Sequence, residues 1–150
     1  MISIQNTIEI AYVRQDGKET LHSIQPITIL FSEYYFYLVA YREDKMKDIP
    51  IIFRIDRIQT LKQTKRYFKI PYADKFNDGE FRKRVQFMYS GPLQRVTFEF
   101  TGPSLEAILD RLPTAKVLSE INGVYTIQAE SYGKGIYMFL NAQGEHVQIK

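Results

Sequence analysis

The sequence contains no cysteine and only two histidines, His22 and His146. Without cysteine there is no disulfide framework, no thiolate metal site and no cysteine nucleophile, which fits a reducing compartment. Two imidazoles leave little for a metal. Long apolar runs are missing too: residues 36–41 are among the longest, and they span about one strand, far short of the roughly 20 residues that cross a bilayer. No basic-then-apolar leader opens the chain, and no tract is repeated or low in complexity. A soluble, cytoplasmic protein with no membrane contact is expected. Catalytic motifs are equally scarce. A nucleophile elbow, a phosphate loop and a zincin helix each need a fixed spacing of glycine, serine, lysine or histidine that occurs nowhere here. Gly133-Lys134-Gly135 superficially resembles a phosphate cradle, but it lacks the first glycine and the hydroxyl. Two glycines around a turn at a helix start explain it better. Paired carboxylates need only spatial proximity, yet most acids here fall in turns and on helix faces. No feature supports an enzyme, and no cofactor or metal is expected.

What is present is globular in composition. The chain has 150 residues, 45% hydrophobic and 25% charged, enough for one domain or two small ones. The net charge of +3 is unevenly spread. Residues 62–84 hold eight basic side chains (Lys62, Lys65, Arg66, Lys69, Lys75, Arg82, Lys83, Arg84) against three acidic ones. That run reads either as a solvated connector or as an anion-binding strip.

The first 70 residues read as strands. In residues 7–13, Ile8, Ile10 and Tyr12 alternate with Glu9, Ala11 and Val13, the period of a half-buried strand. Asp16-Gly17 supplies a turn. Residues 19–31 are extended but contain Pro26, which marks an edge or a break between two strands. Residues 34–41 and 51–58 are rich in aromatic and β-branched side chains. Five short strands with hardly any helix suit a small, strongly bent sheet or barrel. The second half changes rhythm. A strand at residues 95–101 precedes a helix in which Leu105, Ile108, Leu109 and Leu112 recur at helical spacing. A hairpin then turns at Asn122-Gly123, and an apolar-periodic segment at 136–141 and a strand at 145–149 follow. The order is β-α-β-β-α-β, the split, ferredoxin-like arrangement. The boundaries predicted are 1–70 for a β unit, 71–84 for a basic connector that docks through its aromatics, and 85–150 for an α+β unit.

The chemically informative stretch is Tyr35-Phe36-Tyr37-Leu38-Val39-Ala40-Tyr41 followed by Phe53-Arg54-Ile55-Asp56-Arg57-Ile58. On a strand Tyr35, Tyr37, Val39 and Tyr41 share a face, so three phenols line up where a packed core prefers phenylalanine or valine. Arg54 and Arg57, three apart, would face opposite ways on an undistorted strand. Either a bend re-aims Arg57, or a charge is held among apolar groups with Asp56 or a bound anion as its partner.

These residues resemble those of a known family. Phe36-Tyr37-Leu38 stands where the Trp-Tyr-Leu signature of the WYL domain would be, with an aromatic substitution at its first position. Ile8-x-Ile10-x-Tyr12 and Pro26 precede it, and residues 53–58 resemble the family's Phe-Arg-Leu-Asp-Arg-Ile. Residues 105–115 and Tyr132-Gly133-Lys134-Gly135 resemble the C-terminal extension that accompanies many such domains. The resemblance implies an Sm-like small β-barrel followed by that extension. In bacterial transcription regulators this pair senses an effector downstream of an N-terminal DNA-binding winged helix-turn-helix. It also implies effector-binding roles for Tyr12, His22, Tyr37, Arg54 and Arg57, with an anionic or nucleotide-like ligand. His22 and Ile51 stand where relatives often carry arginine. No recognition-helix pattern precedes Ile8, so a sensor fragment that binds duplex DNA only weakly is expected. A homodimerising module without a ligand is the rival reading.

Overall fold

The computed structural model describes residues 5–43, 49–69 and 77–150, apart from the Asp78 side chain. The chain forms two compact units, Met1–Phe76 and Asn77–Lys150. It is mainly β, with two antiparallel sheets and few helices.

In the first unit the strands are β1 (Asn6–Val13), β2 (Glu19–Ser32), β3 (Tyr35–Arg42), β4 (Ile51–Arg54) and β5 (Ile58–Tyr67), ordered β4-β3-β2-β1-β5. A 3-10 turn, Ile55–Arg57, joins β4 directly to β5. In a flat sheet those two edges would lie roughly 19 Å apart at four strand spacings, whereas a three-residue 3-10 turn rises only about 6 Å. The sheet must therefore curl. It does so around Ile8, Ile10, Ile24, Leu38, Ala40 and Phe53, one apolar cluster on its inner face. Among the described pairings no ladder joins β4 to β5, so the hydrogen bonds show a bent sheet rather than a closed barrel.

Two readings of this half change. Pro26 does not divide two strands: β2 runs unbroken for 14 residues, with a register shift between Pro26 and Thr28 that absorbs the missing donor. Residues 62–67 of the basic run are not a connector but the second half of β5, where Arg66 pairs with Glu43 at 3.0 Å and with Glu9 at 3.5 Å. Five strands are present among the described residues, the fifth of them running into the basic stretch.

The second unit follows the predicted order. It consists of α1 (Asp78–Lys83), β6 (Leu93–Phe100), α2 (Leu105–Arg111), β7 (Lys116–Ile121), β8 (Val124–Tyr132), α3 (Gly135–Asn141) and β9 (Val147–Ile149), with sheet order β7-β8-β6-β9. β6 thus lies between β8 and β9, the split arrangement. Ser104 caps α2, its Oγ accepting from the Ala107 N–H at 3.2 Å, and Asn122 and Gly123 both adopt positive φ in the hairpin turn, as a two-residue loop requires. Val96, Phe98, Ile127, Ile108, Leu112, Ile136 and Leu140 meet in one buried apolar core. The helix α1 was not foreseen, and it moves residues 77–84 from the expected connector into this unit. Its Phe81 is buried and stacks on Tyr132 with ring centroids 5.4 Å apart. The Arg84 carbonyl accepts from the Tyr132 N–H at 2.7 Å and from Ser131 Oγ at 3.0 Å. Tyr72, Lys75 and Phe76 lie outside the described residues.

Gly133-Lys134-Gly135 finds its explanation here. A Cβ on Gly135 would run into the Gln86 carbonyl oxygen, and one on Gly133 would come within 2.5 Å of the Ser90 carbonyl oxygen. Loop backbone packs where side chains would otherwise be. Gly135→Ala should therefore destabilise the protein by about 1–3 kcal/mol, the scale of overpacking. Gly17→Ala, with open space at its Cβ, should lose only about 1 kcal/mol through its positive φ. Urea unfolding of the two variants checks the contrast.

Candidate functional site

The register of β2, β3 and β4 sorts the predicted residues onto two faces. Pairings of Leu38 with Phe53 and of Ala40 with Ile51 lie on the inner, core-lining face. Tyr37 pairs with Arg54 and Val39 with Ile52, so Tyr35, Tyr37 and Arg54 share the second face. The alignment of phenols read from the sequence is thus present, and it is built opposite the core.

On that face Arg54 is held from two directions. Its guanidinium carbon lies 3.7 Å from the centroid of the Tyr35 ring. Its Nε and Nη2 donate to the two Asp56 carboxylate oxygens at 2.8 and 2.6 Å. This is the bidentate fork that arginine, and not lysine, can form. The hydrogen bonds from Arg54 hold the Asp56 carboxyl below the usual carboxylate range and raise the pKa of Arg54 further. Partial burial pushes the Tyr37 phenol up, against the pull of the Arg54 charge. It stays a protonated donor at neutral pH.

Arg57 behaves differently. The 3-10 turn takes it off the strand, so the bend anticipated as one of two possibilities is what re-aims it. It is half-buried, and among the described residues it makes no salt bridge. Its charge acts on both Tyr37 and Asp56. The corner therefore carries two guanidinium groups against one carboxylate, with two phenols beside them.

Tyr12 and His22 are not part of that surface. Both point into the inner face, where Tyr12 meets Phe53 edge-on at 5.1 Å and His22 at 6.4 Å, and His22 meets Phe53 at 5.1 Å. The Tyr12 hydroxyl accepts the backbone N–H of Arg54 at 3.0 Å. It braces the strand that carries the site, and that bond occupies one of its acceptor positions. The His22 Nε2 lies 2.8 Å from Thr20 Oγ1. A groove of about 380 Å³ lined by Ile10, Ala11 and His22, among others, includes none of Tyr12, Tyr37, Arg54 and Arg57. The five residues thus divide between two places, Tyr37, Arg54 and Arg57 at the corner and Tyr12 and His22 on the inner face. Sequence reasoning missed Tyr35 and Asp56 as members of the corner set. Tyr35 was visible in the phenol alternation, and Asp56 in its spacing of two from Arg54. Among the described residues no cluster of acids and histidines could hold a metal, and no helix is long and apolar enough to cross a membrane.

Burial lowers the His22 pKa from its ordinary 6.5, and the Arg42 charge lowers it further. The folded protein therefore keeps the ring neutral where the unfolded chain binds a proton. Stability from this group is fully present above pH about 6.5 and declines as pH falls below it. Urea midpoints at pH 7.5 and pH 5.5 should show a smaller acid loss in His22→Asn than in the parent. An equal loss in both would assign the acid sensitivity to other groups.

Residues 2–63 match the family model of the WYL domain. A search of curated proteins finds no match. Among solved structures the chain is similar to proteasome accessory factor B/C (PafBC) of Arthrobacter aurescens, at 19% identity and a TM-score of 0.44. That similarity covers 99% of this chain and 23% of the other, so the chain spans about a quarter of that protein's length. Over residues 2–63 the chain is thus similar to the WYL domain, the family that Ile8 to Tyr12, the aromatic Tyr-Leu signature and the Arg54-to-Arg57 motif resemble.

Proposed function

We propose that this chain is the sensing module of a transcription regulator. It takes an anionic, nucleotide-like effector on the face bearing Tyr35, Tyr37, Arg54 and Arg57, and it transmits the event to a DNA-binding domain in the full-length protein. The observation that carries this reading is the asymmetry of the two arginines. Arg54 is fixed by Tyr35 and Asp56, whereas Arg57, a few ångströms of chain away, has no ion-pair partner among the described residues. A stacked guanidinium beside exposed phenol offers a base a platform, and an unengaged guanidinium offers a phosphate a bidentate partner. The curled sheet, with its opposite edges joined by three residues, supports an Sm-like small barrel. The β-α-β-β-α-β order of the second unit supports a ferredoxin-like C-terminal extension. Regulation rather than catalysis, in the cytoplasm, goes with the WYL domain. Half-exposed Ile29 and Phe36 near the end of the β2–β3 hairpin favour a second reading, a docking module with no ligand of its own.

Fluorescence anisotropy with a labelled oligothymidylate, alongside urea unfolding, separates the two. Arg57→Ala should weaken binding roughly ten- to a hundredfold, the scale of a charge-assisted bond, and leave the unfolding midpoint unchanged. Arg54→Ala should weaken binding as well, and its stability loss should be small because Asp56 is half exposed and water can solvate it. Affinity should fall steeply with added salt. Binding unaffected by either substitution, or absent for oligothymidylate and for a cyclic dinucleotide alike, would remove the effector from this face.

A further inference from the structure

The described edges of the two sheets are not equally protected. β4 is four residues long and β9 three, too short to template much of a ladder. β5 is long, but it carries Lys62, Lys65 and Arg66, and charge of one sign along an edge is what keeps strands from pairing there. β7 has neither defence. Among the described residues it pairs only with β8, and all six of its residues are exposed. Three of them are apolar: Val117 at 42%, Leu118 at 54% and Ile121 at 68% exposure. Its only charges, Lys116 and Glu120, are opposite in sign.

We propose that β7 is a self-recognition edge, on which two copies of this chain pair antiparallel about a two-fold axis at Leu118. The strand's own charges favour that register, the one that sets them against each other. It sets Lys116 opposite Glu120 of the second copy, twice by symmetry, with Val117 opposite Ser119 and Leu118 opposite itself. Moving the axis to Lys116 or to Glu120 would place like charges face to face, which destabilises a strand pair. Leu118 is the extra residue of the irregularity between Val117 and Ser119, with no opposite number on β8, so its side chain is not committed to that ladder. An isologous pairing of this kind closes as a dimer and leaves no edge to propagate. It is independent of the effector reading, which concerns the other unit.

A ladder this short associates weakly, so trapping reads it better than sizing. The natural sequence has no cysteine, and any disulfide then comes from the residue introduced. Directly opposed residues of an antiparallel pair have Cα atoms about 4.5–5.5 Å apart, within disulfide reach. Under mild oxidation of the full chain, Leu118→Cys should give a dimer that reductant reverses. Ile121→Cys, more exposed but far from the axis, should stay monomeric. Adding Lys116→Glu to Leu118→Cys should cut the cross-linked fraction severalfold, and further addition of Glu120→Lys should restore it. Cross-linking of both single variants alike, or of neither, overturns the proposal, the latter showing that the bulge at Leu118 protects the edge. A cross-linked fraction indifferent to Lys116→Glu overturns it as well.

Discussion

The first unit depends on one constraint, the three residues Ile55–Arg57 that must carry the chain from one edge of a five-stranded sheet to the other. A connection that short forbids a flat sheet, and curling is what brings strands distant in the order within side-chain reach. Tyr12 on β1 and Phe53 on β4 are three places apart in the order, yet their rings meet at 5.1 Å and the Tyr12 hydroxyl reaches the Arg54 backbone. The same turn has a second consequence. It breaks the alternation that would have buried Arg57 beside Phe53 and sets it at a corner with Arg54 and Asp56. Fold and candidate site thus come from one local event.

At that corner geometry, more than the number of charges, decides what a ligand meets. Asp56 already satisfies the outer fork of Arg54, and the Tyr35 ring covers its face. An anion on the proposed face would therefore compete with a carboxylate for Arg54 but, among the described residues, not for Arg57. Since exposed ion pairs exchange readily with solvent, Asp56 is a weak competitor that keeps the guanidinium oriented while the site is empty. An arginine without such a partner would be spread over several rotamers, and binding would have to order it. On the proposed reading Asp56 would thus serve pre-organisation as well as structure, which makes the two readings that the sequence left open for Arg54 compatible.

Much of this was legible in the residues. The alternation at 7–13, the Asn122-Gly123 hairpin, the capped helix after Ser104 and the line of phenols on β3 are short-range signals, each set by neighbours within a few positions. What stayed hidden was long-range. The strand β5 could not be read because its sequence, with lysines and arginine among threonine and glutamine, is that of an edge whose faces are barely buried, so its period never appears. That Tyr12 and His22 lie on the inner face while Tyr37 and Arg54 lie on the other was hidden for a related reason. Family motifs place residues in order along the chain, whereas the face each occupies follows from the cross-strand register. The shift between Pro26 and Thr28 changes which β2 residues lie on the inner face midway along the strand. A proline in a strand announces irregularity; it does not say on which side the chain resumes.

The limit of the WYL match shows the same distinction between motif and physical boundary. It ends at residue 63, in the middle of β5. The hydrogen bonds continue past it. The buried Asn6 side chain donates to the carbonyls of Thr64 and Arg66 at 2.7 and 3.0 Å, Thr64 Oγ1 donates to the Thr7 carbonyl at 2.6 Å, and the Phe68 N–H donates to the Gln5 carbonyl at 2.9 Å. These bonds bridge the register shift between Asn6 and Ile8, where the β1–β5 ladder alone would leave backbone groups unpaired. A chain cut at residue 63 would lose these bonds and open the Asn6 amide to water, each bond being worth about 0.5–1.5 kcal/mol net. The first folding unit therefore runs at least to Phe68, which is itself buried, even though no residue of the WYL signature lies beyond Ile58.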